Sequence, residues 1–391
     1  PATAKAAKPR QRPARGPAAG ADDAGDEAPA HDAFSVTDEG VFFHGFGRNG
    51  EPLAPLWLCS RLGVAALTRD QDGNGWGYLL QFADPLGIPK QWAMPGRMLS
   101  GDGGEYRAAL LNMGLRIASS PAARNRLTEY IQTRHPAEFA SCTDRIGWRP
   151  AEAGAAYVLP HKTIGADTER IVFQSDSAME NTFRTRKDAT AWRERVGALC
   201  AGNSRLIFAA SCAFAGPLLR PASMESGGFH LRGDSSSGKT TALRVAASVN
   251  GGPSYMQRWR TTDNALEAIA AQHCDALLIL DELAQVDGKV AGECAYMLAN
   301  EQSKARATRG GAPRARLSWR LLFLSAGELG LADHMAEGMK RTRTGQEVRM
   351  ADIPADAGKG LGAFEELHGF AGGAAFASHL AREAQACHGA P

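Results

Sequence analysis

The feature that most restricts this chain is one turn, Gly233-Asp234-Ser235-Ser236-Ser237-Gly238-Lys239-Thr240, set between the apolar run Gly228-Phe229-His230-Leu231 and the helix-forming stretch Thr241 to Ser248. It reads Gly-x4-Gly-Lys-Thr in a strand, loop and helix context. The glycines let the backbone curl so that successive amide hydrogens point inward, and the positive end of the following helix faces the same hollow. Such a hollow suits phosphate. The spacing predicts that residues 233–241 (Gly233, Asp234, Ser235, Ser236, Ser237, Gly238, Lys239, Thr240 and Thr241) surround a nucleotide, with Lys239 along its β- and γ-phosphates and the Thr240 hydroxyl on Mg2+.

Some forty residues on, Ala276-Leu277-Leu278-Ile279-Leu280 is a buried-strand run ending in two acids, Asp281 and Glu282. The expectation is that Asp281 holds the Mg2+ shell with Thr240, and that Glu282 polarises an attacking water as general base. Two adjacent carboxylates favour the ATP-hydrolysing, additional-strand class of phosphate-loop proteins over nucleotide kinases and GTPases. Between the two strands a crossover helix is expected, capped by Asn264 with Glu267 three residues on. A further strand, Leu321 to Leu324, ends in Ser325 and precedes Glu328. Its order after the acidic pair makes Ser325 the candidate for touching the γ-phosphate and the nucleophilic water.

Basic residues flank these elements. Lys304, Arg306, Arg309, Arg314 and Arg316 surround Gly310-Gly311 with no acid between Glu301 and Glu328, the composition of a hairpin whose tip tracks a nucleic-acid backbone. The alternative is a solvated loop, or one that pairs with acids of a neighbouring subunit. Beyond the last strand, Arg349, then Arg343, then Arg341 are candidates for an arginine that reaches the γ-phosphate of an adjacent protomer.

The rest of the chain frames this centre. Its 44 Lys and Arg against 42 Asp and Glu create no global field, so any affinity for nucleic acid must come from a local patch. The longest uncharged apolar stretch, Leu206 to Leu219, is shorter than the roughly 20 residues that cross a bilayer. Seven cysteines without a Cys-x-x-Cys pair suggest reduced thiols and a cytoplasmic setting, with no membrane. Residues 1–33, rich in alanine and proline, read as a disordered linker. Residues 34–180 alternate short strands with two helices, an α+β accessory domain in which Asp72-Gly73-Asn74-Gly75 marks a hairpin. A helical connector over 181–225 leads to an α/β core with a parallel sheet over 226–360. A helical segment over 361–391 stops while still reading as helix, as if cut from a longer polypeptide.

Taken together, the turn at 233–240, Leu278 to Glu282, the run from Lys304 through Gly310, Trp319-Arg320, Leu324-Ser325-Ala326-Gly327-Glu328 and Thr344-Gly345-Gln346-Glu347-Val348-Arg349 resemble the family called domain of unknown function 927. The resemblance covers about residues 35–385 and is sharpest from 228 to 354. It implies a P-loop ATPase of prophages and mobile elements, helicase-like, often joined to a primase or Toprim module. The hairpin-then-polar-strand order is similar to superfamily three and AAA-like ATPases. These readings converge on a cytoplasmic, ATP- and Mg2+-dependent DNA translocase or helicase acting as a ring, expected to be a homo-hexamer or other ring, on single-stranded DNA during replication. The alternative is a non-translocating ATPase that serves as a nucleotide-dependent scaffold or switch for a primase.

Overall fold

The computed structural model describes residues 32–70, 72–151, 154–160, 162–165, 170–174, 181–305, 316–337 and 349–389. The expected linker, apart from its last two residues, lies outside them. So do Arg306, Arg309, Arg314, Arg341 and Arg343.

A five-stranded, wholly parallel sheet organises the C-terminal half. Its order is Gln257–Arg258, Ala276–Asp281, Leu321–Gly327, Gly227–Arg232 and Met350–Pro354. The strand that feeds the turn and the strand that ends in acids are therefore not neighbours, and Leu321–Gly327 lies between them. That middle strand is buried along its whole length, as a strand covered on both faces must be. The helices Ser204–Ala215, Lys239–Asn250 and Gly373–Ala386 form one packed group against the sheet, and Asp263–Gln272, Gly288–Ala299 and Leu331–Glu337 form a second.

Local chemistry departs from expectation in two places. The cap of Asp263–Gln272 is Thr262, whose hydroxyl accepts from Ala265 N at 3.3 Å, while Glu267 is buried and accepts from Lys304 N at 3.1 Å. The middle strand runs on past Leu324 to Gly327, because Arg232 pairs with Gly327 and Gly233 N donates to Gly327 O at 3.2 Å.

The N-terminal half holds a mixed sheet in the order Arg170–Phe173, Phe139–Thr143, Leu62–Arg69, Gly77–Ala83 and Pro89–Pro95, two three-stranded antiparallel sheets (Phe34–Val36, Val41–Phe43, Leu56–Cys59; and Thr163–Gly165, Gly154–Val158, Gly147–Ala151), and the helices Gly104–Asn112 and Pro121–Gln132. The hairpin expected at Asp72 to Gly75 joins Leu62–Arg69 to Gly77–Ala83. Asp275 is one of the residues that key this half to the parallel sheet, alongside the bond from Trp148 Nε1 to Pro217 O at 2.6 Å and the burial of Ile146 in the core of the C-terminal half. Asp275, immediately before the acidic strand, accepts from Trp148 N at 2.9 Å and from Arg220 Nε at 3.0 Å, and its carbonyl accepts the Tyr157 hydroxyl at 2.7 Å.

Candidate functional site

The turn after Gly227–Arg232 curls because two of its residues take positive φ: Ser236 at 64° and Gly238 at 89°. A side chain on Gly238 would also stand 3.1 Å from the Phe364 ring and 3.2 Å from Ala363 Cβ, so both backbone and space call for glycine. Those two neighbours belong to a C-terminal segment that clasps the outside of the turn. Ala355 N donates to Arg232 O at 2.7 Å and Ala363 N to Ser237 O at 2.8 Å.

Inside the turn the Lys239 ammonium donates to Gly233 O and Asp234 O, each at 2.6 Å, and to Ser237 Oγ at 3.3 Å. It thereby spans the hollow from one rim to the other. Burial lowers its pKa against the opposing pull of Glu328, Asp281 and Asp234. Gly238 caps the helix Lys239–Asn250, so Thr240 falls in the first turn. There its hydroxyl donates to Asp281 Oδ2 at 3.3 Å, across 41 positions of sequence. Burial, reinforced by the adjacent Glu282 carboxylate, raises the Asp281 pKa. Its second oxygen accepts from Glu282 N at 3.0 Å.

Glu282 itself sits at φ 62° and ψ 62°, a left-handed conformation that a side chain adopts only at a cost of about 1–2 kcal/mol. Its carboxylate accepts from Gln285 Nε2 and is exposed. A hydroxyl and one carboxylate oxygen face each other beside an ammonium, and no cluster of three or more His, Cys, Asp or Glu side chains with metal-site geometry occurs among the described residues. The donor set is all oxygen and incomplete. It fits Mg2+, which keeps several waters and takes most of its other ligands from phosphates.

Ser325 occupies a different place from the expected one. It lies two residues inside the strand, fully buried, accepting from Trp259 Nε1 at 2.8 Å and contacting His230 Nδ1 at 3.0 Å. His230 Nε2 lies 2.9 Å from Leu329 O, an acceptor only, so that nitrogen carries the ring proton of the neutral tautomer and Nδ1 accepts from Ser325. Burial lowers the His230 pKa and keeps the ring neutral. With both hydroxyl roles committed, Ser325 ties the loop strand, the middle strand and the chain after the edge strand together beneath the site. The polar residue where the middle strand ends is Glu328, which is exposed, next to Gly327 and the start of the turn. The sequence showed Glu328, but strand length decided which residue reaches the rim.

The remaining candidates are dispersed. Arg349 carries the carbonyl that pairs with Gly228 N, at the far end of the loop strand from the turn. Its guanidinium lies over the Tyr296 ring at 4.5 Å and donates to Asn300. It does not approach the turn of its own chain. Lys304 is paired with Asp263 at 2.8 Å, whereas Arg316 is exposed. Gln302 pairs antiparallel with Ser318, and Ser303 N donates to Leu317 O at 2.9 Å, so the described residues on either side of 306–315 lie side by side.

A model of the family described as domain of unknown function (DUF927) matches residues 34–317. A solved structure entitled "SCCmec type IV Cch - active helicase" shares the fold, with a TM-score of 0.64 over 92% of this chain at 16% identity. This chain spans 63% of that protein's length. No curated protein matches the chain in sequence. Among the described residues no helix is long and apolar enough to cross a membrane.

Proposed function

This chain belongs to the family of domain of unknown function 927, and on that footing we propose that it is an ATP-hydrolysing DNA translocase or helicase of a mobile-element replication system. The observation that carries the reading is the Thr240 hydroxyl facing the Asp281 carboxylate at 3.3 Å beside Lys239. Its support in the fold is the strand between the loop strand and the acidic strand, the arrangement of the additional-strand class.

In this reading the amides of residues 233–241 bind the phosphates and Lys239 lies along the β- and γ-phosphates. Thr240 and Asp281 would hold Mg2+, which supplies neutralisation of the phosphate charge that develops in the transition state. Glu282, held out of the strand by its left-handed backbone, accepts a proton from the attacking water once it turns from Gln285. Glu328 and Lys239 flank the first residue of the turn, so Glu328 orients that water in the role expected of Ser325. Arg349 or Arg343 of an adjacent protomer completes the site in a ring, and the basic hairpin through Arg316 follows the DNA strand.

The test is ATP hydrolysis by wild type, Lys239→Ala, Glu282→Gln and Glu328→Gln, with and without single-stranded DNA, alongside particle size. Expected are Mg2+-dependent turnover stimulated by DNA and a kcat lowered by about 100-fold in Glu282→Gln with nucleotide binding kept. Glu328→Gln is expected to lose about tenfold in kcat. Absence of Mg2+-dependent affinity for any nucleoside triphosphate would overturn the reading. Hydrolysis indifferent to DNA, with nucleotide-dependent assembly, would move it to the scaffold function.

A further inference from the structure

Beside the Thr240 and Asp281 pair the surface opens into a cleft of about 450 Å3, bounded by the helix Lys239–Asn250, the helix Gly373–Ala386 and the edge strand Gln257–Arg258. Each of these elements contributes one arginine to its lining: Arg244, Arg382 and Arg258. Arg244 is one helical turn beyond Thr240, so the two share a helix face. Arg258 pairs with Asp281 in the parallel register, and in-register side chains emerge on the same side of a sheet. Arg382 arrives from a helix packed on Lys239–Asn250.

All three arginines are exposed, and none forms a salt bridge with a described residue. Asp281 is the only carboxylate in the lining. Like charges gathered from three distant parts of the chain raise the local potential, and an anion in the cleft offsets it. The cleft runs from Thr240 to Gly251, about 16 Å along the helix axis at 1.5 Å per residue. Phosphates bound at residues 233–240 would cover only the first turn of that helix.

We propose that this cleft is a second phosphate site, taking one nucleotide unit, either a free nucleotide or one residue of a nucleic-acid strand. The proposal rests on the reading of residues 233–240 above, in that the two phosphate sites adjoin. Its size suits a single nucleotide, and guanidinium groups grip phosphate oxygens in pairs.

The experiment uses the full chain as wild type, Lys239→Ala, Arg258→Gln/Arg382→Gln and the single Arg382→Gln. One arm measures the anisotropy of a labelled oligothymidylate over a salt series; the other counts bound ADP per chain by equilibrium dialysis. If the source is a strand, the double variant loses at least tenfold in oligonucleotide affinity, and its slope of log K against log salt shrinks by about 1.4. If the source is a free nucleotide, a second ADP per chain disappears while the one dependent on Lys239 remains. Arg382→Gln alone shows part of either loss, and it stands in for the double variant should that fail to fold. Unchanged binding in both arms overturns the proposal and leaves the reading of residues 233–240 intact. Loss in the arginine variants, with Lys239→Ala binding ADP as wild type does, supports this cleft and overturns that reading.

Discussion

Asp275, one of the residues that join the two halves of the chain, makes a quantitative prediction, because several contacts meet at its carboxylate. That side chain is fully buried, accepts from Trp148 N at 2.9 Å, and has both oxygens 3.0 Å from Arg220 Nε. Gly147 leaves it room: a Cβ there would lie 2.4 Å from Asp275 Oδ2. Replacing Asp275 with alanine strands the Trp148 amide, a loss of about 1–3 kcal/mol. The Arg220 side chain is 37% exposed, so water recovers part of its loss, and about 1 kcal/mol is left for that contact. Asp275 also sits at φ 54°, a conformation that alanine tolerates worse than aspartate by about 1 kcal/mol. The sum is about 4 kcal/mol for Asp275→Ala. Glycine escapes the backbone cost, giving about 3 kcal/mol, and asparagine keeps one acceptor and the backbone tolerance, giving about 2 kcal/mol. The assay is equilibrium denaturation followed by tryptophan fluorescence, since Trp148 adjoins the site. An alanine variant within about 0.5 kcal/mol of wild type, or a glycine variant less stable than alanine, would refute the reasoning.

Two further outcomes follow from the buried polar groups. Ser325→Ala leaves Trp259 Nε1 and His230 Nδ1 without their partner, so it should cost about 2–4 kcal/mol in denaturation while the stable fraction keeps its nucleotide affinity; preserved stability with lost hydrolysis would return Ser325 to the reacting phosphate. His273, buried against Phe183 and Tyr255, has its pKa pushed down to about 4 by burial. The unfolded chain then binds the extra proton first as pH falls below about 6.5, and stability drops by about 2 kcal/mol at pH 5. Urea midpoints at pH 7.5 and pH 5 should differ less in His273→Asn than in wild type, and an equal difference would remove His273 as the cause.

Much of the site was legible in the residues. The turn at 233–240, the strand before it and the helix after it are contiguous, and their chemistry depends on local backbone freedom and neighbouring amides. The acidic strand was equally plain, because five consecutive apolar residues before Asp281 can only be buried. Gln302 and Ser318 pair on either side of the basic run, whose glycine centre lies outside the described residues. What misled was the length of the middle strand. Four apolar residues suggested an end at Leu324, yet hydrogen bonding to Gly233 carries the strand to Gly327 and draws Ser325 inside.

Sequence alone thus determined which segment curls and which carboxylates stand near it, since glycine spacing and apolar runs act over a few bonds. Tertiary structure decided that Thr240 meets Asp281, that residues 355–364 clasp the turn, that Glu328 reaches the rim, and that Arg244, Arg258 and Arg382 line one cleft. Each of those depends on strand order and helix packing between residues far apart in the chain, and such contacts are set by how whole faces are buried together.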